Sequence, residues 1–222
     1  MEYSKQADII LSKIRREMDG MVSDEMKRRG IIYGENYGVS TPVLGRIAKD
    51  FSPDTGFADY LLQRDVREFK LLAVYIADPS DITMETLTRW EEGLTTGELI
   101  DNASMFLFPQ SPVAVGIMKK WFGSGNRLFI RGALYLLGRL VNNKTISNKE
   151  TFSALPFVKK AVNEENVNFI YNAAIYCLLK TAASSECGRI EIERIIRRWK
   201  LSVNPGITSL AEELELFLPP LG

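Results

Sequence analysis

The chain has 222 residues, 45% of them hydrophobic, and its 28 basic residues balance 28 acidic ones, which suits one sizeable core or a short repeat array rather than a disordered segment. Histidine is absent, and with it go Ser/His and Cys/His catalysis, the usual near-neutral general base and the commonest metal ligand. Cys177 and Cys187 have no Cys/His cluster beside them, which excludes a zinc site and predicts two buried or half-buried free thiols; no metal and no cofactor are expected.

In chain order, residues 2–29 place Ile9, Ile10, Ile14, Met18, Met21 and Met26 at helical spacing, which predicts two helices broken at Gly20 and stopped at Gly30. The segment Tyr33 to Ser40 is rich in turn formers. Ser40-Thr41-Pro42 then supplies a cap and an early-turn proline for a helix to about Phe51. Asp54, Asp65 and Asp81 are placed to cap helices over 55–63, 66–78 and 83–92. A helix opening near Gly97 carries Asp101 and ends near Pro109. Further helices are expected over 112–122, 126–141, 150–163, 166–183, 187–200 and 208–218.

No segment alternates with a period of two over a useful length, so the fold class is all-α. Helices of roughly 10–16 residues, paired at a recurrence of roughly 35–45, predict a HEAT/armadillo-like solenoid, a right-handed α-α superhelix read as a single domain over residues 1–222. In such an array one helix of each pair lines a concave surface. Met1 to Gln6 lack a charged segment leading into an apolar run, and no stretch approaches about 20 apolar residues. The expectation is therefore no signal peptide, no membrane span and a cytoplasmic monomer.

The zero net charge hides a polarity. Residues 51–100 hold ten acidic groups against four basic ones, and residues 101–200 hold fifteen basic against seven acidic. Asp101 lies where acidic gives way to basic, a lone carboxylate that is a candidate for work on a cationic or polyanionic ligand. Positions 127, 131, 135 and 139 are Arg, Arg, Tyr and Arg, and positions 168, 172, 176 and 180 are Asn, Asn, Tyr and Lys; both sets have the i, i+4 spacing that lines one helix face. Cations and amides interleaved with one ring per helix suit a polyanion whose sugars or bases rest on the rings. Lys119, Lys120, Arg127, Arg131, Tyr135, Tyr176 and Lys180 are the candidate DNA-contacting residues; the competing expectation is that these stripes are solvated outer faces.

The segments Asn36 to Lys49, Arg67 to Ala73, Glu98 to Asp101, Leu128 to Ala133 and Phe169 to Tyr176 occur in an order that resembles the DNA alkylation repair glycosylases built from HEAT-like repeats. The resemblance implies a C-shaped array whose concave basic groove holds double-stranded DNA, and an activity removing N3- or N7-alkylated purines. In that family the chemistry rests on an aspartate four residues after a tryptophan, an arginine, and a second tryptophan. By position the aspartate falls on Asp101 and the arginine on Arg131, while Gly97 and Tyr176 replace the two tryptophans. Trp90, Phe106 and Phe108 are candidates to supply the ring missing at Gly97. An alkylated purine is already cationic and leaves as a neutral base, so Asp101 as catalytic residue need only stabilise an oxocarbenium-like sugar. Two alternatives stand beside this: a helical-repeat relative that binds DNA without excising, and a scaffold that grips a protein partner.

Overall fold

The computed structural model describes residues 2–163 and 167–218, and among these no strand forms; Glu35 and Val66 make one isolated parallel bridge. The all-α expectation holds. The helices are α1 (Glu2–Arg16), α2 (Gly20–Arg28), α3 (Thr41–Ala48), α4 (Thr55–Leu62), α5 (Arg67–Ile76), α6 (Met84–Gly93), α7 (Gly97–Asn102), α8 (Ala114–Phe122), α9 (Arg127–Asn142), α10 (Asn148–Asn163), α11 (Val167–Ser184), α12 (Glu186–Trp199) and α13 (Pro205–Phe217). They form two compact units, residues 1–113 and 114–222.

The helix starts follow local capping chemistry. Asp19 accepts from the N–H groups of Met21 and Val22 to open α2, and Gly30, with φ of 78°, provides the left-handed stop after it. Asp54 accepts from Phe57 N at 2.8 Å to open α4 as expected. Ser40 stands at the N-cap of α3 but its side chain makes no capping bond, and two other expected caps are different groups. α5 starts from Val66 with no side-chain cap, and its start is fixed instead by Glu35 N donating to Asp65 O and Arg67 N donating to Glu35 O. Thr83, not Asp81, caps α6; the Asp81 carboxylate accepts the Thr55 hydroxyl at 2.9 Å. The helix expected to run from Gly97 to Pro109 is three pieces: α7, a π-helical turn over Ala103–Leu107, and a 3-10 turn over Phe108–Gln110. Pro109 has no N–H with which to continue a helical ladder.

Within each unit helices two elements apart pair at sequence offsets of 31 to 42. In residues 1–113, Asp59 of α4 accepts from the indole of Trp90 on α6, and Arg67 of α5 pairs with Glu98 of α7, both 31 residues apart. In residues 114–222, Arg131 of α9 meets Phe169 of α11 at an offset of 38, Lys159 of α10 meets Glu191 of α12 at 32, and Tyr171 of α11 meets Glu213 of α13 at 42. Contacts of this kind between helices two elements apart are those of stacked helical repeats, in which each helix buries its neighbour's apolar face. α5 is the centre of the first unit, with every residue except Tyr75 buried. α11 is the centre of the second, packed by α9, α10, α12 and α13.

Candidate nucleic-acid interface

The two stripes read from the sequence meet along α9 and α11. Arg131 donates from Nη1 to the main-chain carbonyl of Phe169. Its guanidinium carbon lies 5.2 Å from the Phe169 ring centroid and 5.8 Å from that of Tyr135, and the Arg127 guanidinium lies 5.3 Å from Phe169. The rings of Tyr135 and Tyr176 are 5.8 Å apart, and the Lys180 ammonium stands 5.7 Å from Tyr176. Arg127, Phe169, Arg131, Tyr135, Tyr176 and Lys180 thus form one continuous ridge of cations and rings, each cation within the about 6 Å at which a ring face attracts it. Phe169 is the member that spacing had not placed in the stripe, because it follows Asn168 rather than falling at i+4.

Gly138 makes this approach possible. A Cβ there would stand 2.7 Å from Tyr176 Cδ1 and 3.1 Å from Cys177 Cα, so only glycine lets the Tyr176 ring lie against α9. Arg127 is exposed, while Arg131, Tyr135, Tyr176 and Lys180 are half-buried. Arg131 is therefore in part a brace between helices. Lys119 and Lys120 occupy the exposed last turn of α8. Lys119 lies near Glu150 at the start of α10, whose carboxyl is held below its ordinary range first by the Ser147 N–H and hydroxyl and then by that lysine.

In residues 1–113 the helix that carries Asp101 is anchored by buried charge that sequence reasoning had not assigned a role. Arg67 forms two bonds to Glu98, Nε to Oε2 at 2.9 Å and Nη2 to Oε1 at 2.5 Å, and donates from Nη1 to Glu68 and to the Val39 carbonyl, each at 2.9 Å. Glu68 also accepts from the N–H groups of Tyr37 and Val39 at 3.2 Å. The loop 33–39, α5 and α7 are thereby tied together one helical turn before Asp101. The signal for this cluster was an Arg-Glu pair opening a helix whose only other charged residue is Lys70.

Asp101 is half-buried at the end of α7. Its neighbour Asn102 accepts from the Tyr75 hydroxyl at 2.5 Å, and the Tyr75 ring meets Phe106 edge-on at 5.8 Å. Phe106, on the π turn, is exposed, whereas Trp90 and Phe108 are wholly buried and turned toward each other. Of the three rings considered for the place of the missing tryptophan, Phe106 alone is accessible. Gly97 is the first helical residue of α7, capped by Thr96. The thiols are free, with Cys177 buried and Cys187 exposed rather than half-buried. No group of three or more potential ligands that could hold a metal occurs among the described residues, and none of their helices is long and apolar enough to cross a membrane.

Comparison with known proteins agrees with this architecture. A solved structure from a new family of proteins related to the HEAT-like repeat DNA glycosylases, with affinity for branched DNA structures, superposes with a TM-score of 0.79 over 94% of each chain at 18% identity. Among curated proteins nothing matches. The sequence model of the DNA alkylation repair enzyme family matches residues 10–186. The chain is a member of the DNA alkylation repair enzyme family, with an all-α, HEAT-like repeat fold.

Proposed function

We propose that this protein binds double-stranded DNA through the α9/α11 ridge and hydrolyses the N-glycosidic bond of N3- or N7-alkylated purines, with Asp101 stabilising the sugar cation. The observation that carries the binding half is the ridge: cations spaced along a helix neutralise backbone phosphates, and the rings between them offer faces to sugars or bases. The family membership supports the chemical half. An alkylated purine departs as a neutral base, so the enzyme needs charge stabilisation at C1′ and a water, and a carboxylate in half-buried surroundings supplies the first. Residues 1–222 act in this reading as one repeat array and as a monomer.

A second reading, a relative that binds DNA without excising, is favoured by a specific observation. Gly97 carries no side chain where the resemblance places a tryptophan, and Trp90 and Phe108 are buried in the core and cannot replace it. Release of free 7-methylguanine or 3-methyladenine from alkylated duplex separates the two. Binding that prefers branched over linear DNA, without release, is the outcome expected of the second.

A further inference from the structure

We infer that the pocket at the C-terminal ends of α9 and α11 is a phosphate-binding site in which Lys144 and Lys180 hold the phosphate of a nucleotide. The pocket has a volume of about 450 Å³ and is lined on its polar side by Lys144, Lys180, Asn142, Asn148, Thr151 and Ser184. That volume admits a phosphate with its sugar. No acidic side chain lines it. The Thr151 and Ser184 hydroxyls donate to the carbonyls of Ser147 and Thr181 and Asn142 Nδ2 donates to Asn143 Oδ1 at 3.4 Å, so the donors left for a ligand are two ammonium groups, the second N–H of Asn142 and the Asn148 carboxamide, a set whose charge selects an anion. The ends of α9 and α11 together contribute about one unit of negative charge, and the two ammonium groups leave the pocket positive.

The backbone supplies the second line of argument. Lys144 has φ of 57° and is the one non-glycine residue at positive φ among the described residues. It ends α9 in a Schellman motif, with Thr145 N donating to Leu140 O and Lys144 N to Val141 O, both at 3.0 Å. Glycine is the residue this position favours, and a strained side chain persists where something other than folding requires it. Here the strained residue is also one of the two cations of the pocket.

The ligand chemistry, a phosphate ester, has two sources: the backbone of a nucleic acid or a free nucleotide. Lys180 belongs to both the ridge and the pocket, so Lys144, which belongs to the pocket alone, carries the test. The test uses the full chain, amide-resolved NMR with inorganic phosphate and then AMP against chloride at equal ionic strength, and duplex affinity across salt, in wild type, Lys144→Gly and Lys144→Asn. Phosphate or AMP should shift amides of residues 142–151 and 184 in wild type and in neither variant, while the Lys144→Gly thermal midpoint rises by about 2–4 °C. If the source is nucleic-acid backbone, both variants bind duplex severalfold more weakly and the slope of log affinity against log salt falls by about 0.9. If the source is a free nucleotide, AMP shifts persist beside bound duplex and duplex affinity is unchanged in the variants. Loss of duplex binding in Arg127→Ala with the pocket shifts intact separates the ridge from the pocket. Phosphate and AMP shifts no larger than chloride's together with an unchanged duplex slope would overturn the assignment, as would a lower midpoint in Lys144→Gly.

Discussion

Arg67 and Glu98 form a bidentate ion pair across 31 residues, with the arginine side chain 4% and the glutamate 19% exposed. Arg67 also bonds Glu68 and the Val39 carbonyl, so removing one carboxylate leaves a buried guanidinium only partly compensated. Glu98→Gln should destabilise the protein by about 3 kcal/mol, the low end for breaking a buried pair, because Glu68 remains. Urea unfolding checks it. A change below 1 kcal/mol would show that Glu98 does not anchor α7.

The ridge makes a prediction that distinguishes its members. Arg127→Ala and Lys180→Ala should each weaken duplex binding about equally for any sequence and lower the salt slope by about 0.9, since phosphate contacts carry no base information. Arg131→Lys keeps the charge but removes the planar fork that reaches the Phe169 carbonyl. It should therefore lower thermal stability while changing the salt slope little. Unchanged slopes in the double variant Arg127→Ala/Lys180→Ala would remove the ridge from DNA binding.

Gly138→Ala tests the packing that builds the ridge. The added methyl would meet the Tyr176 ring at 2.7 Å, and α11 would have to move to admit it. The expected cost is about 1–3 kcal/mol, with weaker duplex binding because the α9 and α11 halves separate. Denaturant unfolding and DNA affinity measured on the same preparation check both, and a neutral substitution would contradict the close approach.

Alkaline stability follows from buried tyrosines. Burial pushes the Tyr75 hydroxyl up to about 12, with Glu98 adding to the shift and Arg67 opposing it, and Tyr33 is displaced the same way. Below pH 10 these groups are neutral in both folded and unfolded chains, and their contribution to stability is complete. Above pH 10 the unfolded chain ionises first, so stability falls as pH rises through 10 to 12. The buried Cys177 thiol, pushed up to about 12, acts in the same direction from its ordinary value of 9 upward, while desolvation lowers Lys70 and opposes them. Urea midpoints should fall between pH 9 and 11, less steeply in Tyr75→Phe. A rise over that range would contradict the account.

How legible this was in the sequence can be argued from particular residues. Helix positions followed from apolar spacing and turn residues, which act locally. The recurrence expected at roughly 35–45 is in fact 31 in the first unit and 38, 32 and 42 in the second, and offsets that vary this much erase self-similarity from the sequence. Asp65 and Asp81 were plausible caps by position, but the first is bypassed by a backbone bridge and the second is engaged by Thr55, contacts 26 or more residues distant that no local pattern reveals. Tyr135, Tyr176 and Lys180, picked out by i, i+4 spacing, lie together where α9 meets α11. Phe169 and Lys144 were missed because one is placed by packing across helices and the other by a backbone angle.

The most direct test of the central claim is release of free 7-methylguanine from methylated duplex by wild type and by Asp101→Asn. The substitution keeps size and hydrogen bonding while removing the charge that stabilises the sugar cation. The account predicts release by wild type, a fall on the order of 10²-fold or more in the variant, and duplex binding that holds or tightens slightly. Equal release by both proteins would contradict the role of Asp101. No release by wild type, with activity gained on restoring a ring by Gly97→Trp at the first helical residue of α7, would show a binding relative that has lost its pocket.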